Sequence, residues 1–155
     1  MLKTIAKYIS VSAVSAAFAL SLTSIAVAQT QQQSCGIIVQ QDGRMAASAD
    51  TTVLSTSISG GEPARVAVDT TNSQYALFVD TPLGFAVAPA NGSVNTNFLA
   101  TYSGRGATEF LSKQAGIETR LKNGRTNLEI DFEARKLNGS FPSGNYRAGV
   151  TVRCE

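Results

Sequence analysis

The chain has 155 residues, 13 of them basic and 11 acidic, with two cysteines, no tryptophan and no histidine. Without histidine, the commonest general base, the commonest zinc ligand and every Ser-His or Cys-His nucleophile pair are missing. Lys3 and Lys7 account for the whole basic excess, so the remainder is formally neutral and lacks the surplus of Lys and Arg that nucleic-acid binding needs.

From the start, Lys3 and Lys7 precede an apolar, small-residue stretch from Ile9 to Ala28 that closes in Ala26-Val27-Ala28. This pattern predicts a secretory leader over residues 1–28, cleaved after Ala28. Ser10, Ser12, Ser15 and Ser21 interrupt the stretch and no basic cluster follows it, so no membrane span is expected once the leader is gone. Gln32, Gln33 and Ser34 before Cys35 do not make the small-residue box of a lipid anchor. Taking 28 of the 155 residues away leaves 127, the size of one domain. A short polar arm over 29–34 and a single domain over 35–155 are expected. Two cysteines in an exported chain pair with each other, so a Cys35–Cys154 disulfide is expected, in the periplasm or at the cell surface. Two distant cysteines cannot make a structural zinc site, and no cofactor or metal is expected.

Beyond Cys35 the recurring signal is short alternating runs between Gly, Pro, Asn and Asp clusters, with no sustained helical period. Strands are expected over 35–41, 51–59, 65–69, 74–80, 97–103, 117–122, 126–135 and 146–154. The segment from Thr81 to Thr96 holds Pro82, Gly84, Pro89 and Gly92 and reads as a crossover between sheets around a short strand at Phe85 to Ala88. A binding loop is the other reading of it.

In 117–122, Ile117, Thr119 and Leu121 alternate with charged residues, and Asn123-Gly124 suits a tight hairpin turn into 126–135. That register would set Leu121 opposite Thr126 and Glu118 opposite Glu129. In 126–135, Leu128, Ile130, Phe132 and Ala134 alternate with Asn127, Glu129, Asp131 and Glu133, as a strand with one wet face must. The last run places Tyr146, Ala148, Val150, Val152 and Cys154 on one inward face, completing a three-strand meander. The disulfide would make the first and last strands neighbours and close the domain on itself. An all-β, immunoglobulin-like Greek-key β-sandwich of about seven or eight strands fits this pattern, with a small β-barrel as the alternative.

Acids group in one place only: Glu129, Asp131 and Glu133 on one strand face, with Glu118 across from them in the expected hairpin. Such a group could form a weak cation patch, since hard cations take carboxylate oxygens, or the acid and base of a carboxylate hydrolase acting on glycans. A solvated strand face balanced by Arg120, Arg147 and Arg153 explains them without either, and an exposed face lacks the cleft that raises a carboxylate's pKa. Of the nine aromatics from Tyr75 onward, Phe78 is expected outside the core because it alternates against Leu77 and Val79. The reading is a non-catalytic exported structural or interaction domain, partnered by a protein or a component of the cell envelope.

The closing run from Leu137 to Val152, with Pro142-Ser143-Gly144-Asn145-Tyr146 feeding an alternating terminal strand, resembles the last hairpin of exported fimbrial subunits and spore coat protein U-like domains. That resemblance implies an immunoglobulin-like periplasmic or surface domain, assembled into fibres by donating a strand to a neighbour. It covers about the last 30 residues. Those subunits bridge cysteines between early strands and carry a long alternating N-terminal extension, whereas the arm here is short and polar.

Overall fold

The computed structural model describes residues 33–155; the expected leader and most of the arm lie outside them. The described chain is all-β: β1 Cys35–Gln41, β2 Ala46–Ala47, β3 Val53–Ser55, β4 Ala64–Thr70, β5 Ala76–Asp80, β6 Thr96–Gly106, β7 Phe110–Gln114, β8 Thr119–Arg120, β9 Gly124–Lys136 and β10 Thr151–Cys154. They form two antiparallel sheets, one of seven strands and one of three ordered β10-β5-β8. Neither closes into a barrel. The chain changes sheet after β4, β5, β7, β8 and β9, the crossing habit of a β-sandwich.

β9 is the spine of the larger sheet. β6 follows one of its edges from Lys136 to Thr126, while β4 and then β3 share the other. Its alternation does what the sequence requires: Thr126, Leu128, Ile130, Phe132 and Ala134 are buried and the residues between them face outward. Where β4 ends and β3 begins, β9 would lose a partner at Phe132. There the buried Thr56 hydroxyl accepts the Phe132 N–H at 2.9 Å and donates to Asp131 at 2.9 Å.

The core has two parts. In one, Val66, Val68, Tyr102, Leu128 and Ile130 of the larger sheet meet Leu77 and Val79 of the smaller. In the other, Leu54, Phe132 and Phe141 gather with partly buried aromatics around Phe85, whose ring centroid lies 5.0 Å from those of both Phe98 and Tyr146. Phe85 thereby anchors the 81–95 segment, which crosses between sheets, and Val87 pairs with Arg147. Phe78 does face outward, half-buried beneath the Arg153 guanidinium.

Several expectations are corrected. No hairpin joins 117–122 to 126–135: β8 pairs with β5 in the smaller sheet and β9 begins the next crossing. A two-residue type I′ turn needs positive φ at both positions, and of this pair only Gly124 has it, at 117°. Glu118 is therefore not opposite Glu129, whose partners across the ladder are Arg65 and Ser103. The three-strand meander fails for the same reason, since β8, β9 and β10 alternate between sheets. The expected strands at 51–59 and 146–154 shorten to β3 and β10, while β2 and β7 had no expected counterpart.

The Cys35–Cys154 disulfide is present, with Cα atoms 6.3 Å apart, within the range a bridge demands. Yet β1 and β10 are not ladder neighbours: among the described residues β1 bonds only to β4 and β10 only to β5. A disulfide fixes one residue pair and not the register of two strands.

Candidate functional site

The two lateral seams of the sandwich differ. On the β7–β8 side, the chain itself passes from sheet to sheet. The Tyr102 hydroxyl donates to the Ile117 carbonyl at 2.6 Å and lies 2.9 Å from the Thr119 hydroxyl, while the Gly116 N–H reaches the Val79 carbonyl at 2.7 Å. That seam is laced shut by polar contacts between the layers.

The opposite seam runs between β1 and residues 146–154 and is open. It contains a cavity of ≈ 910 Å³, bounded by Ile37 and Val39 on one side, Val150 and Val152 on the other, and floored by Val66 and Ile130. Ile37 and Val39 point toward the space between the sheets, yet they are 38% and 63% exposed, whereas Val66 beneath them is 4% exposed. They occupy core-facing positions that no described residue covers. Exposed apolar patches of this kind occur at interaction sites, at ligand grooves and at aggregation-prone surfaces.

Among the described residues, the backbone along β1 and β10 also lacks a partner on the seam side. The Ser34 carbonyl accepts the Thr71 N–H, so in the antiparallel alternation the even residues of β1 bond toward β4 and Ile37 and Val39 turn their N–H and C=O groups to the open side. On the facing rim, Glu155 exchanges two bonds with Ala76, and Arg147 exchanges two with Val87. In β10 the odd residues bond inward to β5, leaving the Val152 main chain directed at the seam. Ile37, Val39 and Val152 thus line the gap with apolar side chains and also present it with main-chain donors and acceptors.

The carboxylates singled out from sequence are placed elsewhere. Glu129, Asp131 and Glu133 share the outer face of β9, but each has its own partner. Glu129 lies 3.7 Å from Arg65, Glu133 lies 2.9 Å from Arg135, and Asp131 accepts from the Thr56 and Ser57 hydroxyls at 2.9 and 2.8 Å. Glu118 sits beside β8 and pairs with Arg120 at 2.8 Å. Among the described residues, no three acids, cysteines or histidines converge as a metal site. The sequence put Val150 and Val152 on an inward face, which is where they lie, but nothing in the alternation distinguishes a covered face from an uncovered one.

Compared with known protein families, with curated proteins and with solved structures, the chain matches none.

Proposed function

We propose that this is an exported, non-catalytic protein-interaction domain that takes up an extended strand of another polypeptide in its open seam. The observation that carries the reading is the coincidence, along one cleft, of uncovered core-facing valines and isoleucines with two unpaired strand edges. Strand addition uses both, main-chain bonds for affinity and alternate side-chain pockets for selectivity. Export to the periplasm or cell surface is supported by the disulfide, which an oxidising compartment sustains, and by the leader pattern of residues 1–28. The lack of histidine and the individually partnered acids on an exposed strand face support a binding role over a glycan hydrolase.

A second reading, a subunit of a surface fibre, gains from the same seam, because strand exchange is what the resemblance to fimbrial subunits implies. Against it stands the arm Gln29-Thr30-Gln31-Gln32-Gln33-Ser34, which carries no apolar side chain with which to fill a neighbour's cleft.

The experiment compares two variants recovered from the cell envelope by size-exclusion chromatography and electron microscopy. Val150→Lys puts a charge in the seam, and Leu83→Ser removes the fully exposed apolar residue of the 81–95 crossover. The seam reading expects Val150→Lys to release the bound partner and Leu83→Ser to retain it. Loss with Leu83→Ser alone would transfer the binding to the loop.

A further inference from the structure

The seam is not uniform along its length, and its two ends differ in a way that limits what can occupy it. A strand inserted between two others, bonded to both, needs its flanking strands roughly 9.6 Å apart, twice the usual inter-strand spacing of about 4.8 Å. At the disulfide, the flanking Cα atoms are held 6.3 Å apart. No backbone fits between them. At the other end, the lining runs out through Gly43 and Asn145 with no covalent link across. We infer that the Cys35–Cys154 bond is an end stop, making the seam a blind slot that a partner strand enters only from the Gly43–Asn145 end and in which it must terminate short of the disulfide.

The occupant follows from the lining. From Ile37 to Gln41 the rim offers about 16 Å of strand, at roughly 3.3 Å per residue, so about five residues are enclosed. Inward of Arg147, which lies on the rim two residues from Asn145, the walls and floor carry no charge, while Asp42 and Arg44 of opposite sign stand at the mouth. That combination fits an extended segment with apolar side chains at alternate positions and no charge among its inward-facing residues. The domain's own arm does not meet this description. Ser34 is bonded to Thr71 on the β4 side by its N–H and its carbonyl, so the arm joins the domain at the blocked end, and residues 29–33, all that precede it once the expected leader is cleaved, are polar. The occupant is another polypeptide. Reduction would unpin β1 from β10 and convert the slot into an open channel, so the selectivity depends on the oxidised state.

This inference rests on the strand-accepting reading, and the test separates the two. The probe is a peptide of about eight residues alternating valine with threonine, used bare, with a bulky fluorophore on its first residue, or with the same fluorophore on its last. Binding of each is measured by calorimetry to the oxidised protein and to the Cys35→Ser/Cys154→Ser double variant, whose folding is checked by circular dichroism. In a blind slot, a bulky group at the inner end forces the peptide to withdraw by a residue or two. One labelled peptide should therefore bind the oxidised protein about tenfold more weakly than the bare one, the loss expected for roughly one apolar side chain left unburied, while the other matches the bare peptide. In the double variant the two labelled peptides should bind alike. Equal binding of both labelled peptides to the oxidised protein overturns the end stop even where the double variant fails to fold, as does an asymmetry that persists in a folded double variant. Failure of the bare peptide to bind overturns the strand-accepting reading itself, and the end stop with it.

Discussion

At the scale of single residues, Thr56 shows how a side chain can stand in for a strand. Its hydroxyl supplies the acceptor that the Phe132 N–H lacks between β3 and β4. Thr56→Val keeps the shape and removes that acceptor, leaving a buried N–H unpaired. Urea unfolding should register a loss of about 1–3 kcal/mol, and amide exchange at Phe132 should quicken. Nothing in the sequence announces this role, because a threonine beside a strand is ordinary and its partner lies 76 residues away.

Asp50 is a second local case. Hydrogen bonds from the Ser48 hydroxyl and then from the Thr52 hydroxyl and N–H pull its carboxyl from 3.8 down to about 2. Asp69, through Arg125, and Asp80, through Arg153, are also held below the usual carboxylate value. Each binds a proton more readily unfolded than folded, so its contribution is complete above the unfolded value and is lost as pH falls through the folded one. Melting temperature should therefore hold from neutral pH down to about 4 and decline toward pH 2. Asp50→Asn should flatten part of that decline in a melting series across the same range.

At the scale of elements, alternation was legible and pairing was not. β1 falls on its expected bounds and β9 within two residues of its own, because period-two patterning reports which way each side chain points. Which strand lies alongside is decided by tertiary contacts that the pattern does not encode, and so the alternation of 117–122 points to β9 where the structure pairs β8 with β5. β7 carries little strand signal, since its run Phe110-Leu111-Ser112-Lys113-Gln114 alternates poorly, with Leu111 almost fully exposed. It is placed by Phe110, whose ring packs edge-on against Tyr102 at 5.5 Å, over Gly104, where any Cβ would collide with it. Tyr102 in turn ties β6 to the β8 approach. Tyr102→Phe, which removes only the hydroxyl bonded to Ile117 and facing Thr119, should cost about 1–2 kcal/mol in denaturant unfolding. Its exchange signature should be confined to the β7–β8 seam. Equal loosening of β1 would mean the two seams are coupled.

At the scale of the whole molecule, the fold class and the disulfide were legible, and the open seam was not. Inward-facing valines look the same in a sequence whether or not a neighbour covers them, so the first and last strands read as a closed edge when they flank a gap. The disulfide's contribution is large in the chain-entropy picture: joining residues 119 apart restricts the unfolded chain by about 4–5 kcal/mol. The Cys35→Ser/Cys154→Ser variant should unfold at a correspondingly lower urea concentration with a steeper or unchanged slope. An unchanged midpoint would show the unfolded chain to be restricted by something other than the bridge.

The same bond also determines how the molecule bears tension. Cys35 opens the first strand and Cys154 closes the last, so a pull applied from outside them, once it has freed Ser34 and Glu155 from Thr71 and Ala76, is carried across a single sulfur–sulfur link. The chain between them, a separation of 119 residues and roughly 400 Å if drawn out, stays out of the force path however hard the ends are stretched. Tethered by its termini, the oxidised domain is an inextensible link, and it becomes a yielding one only on reduction.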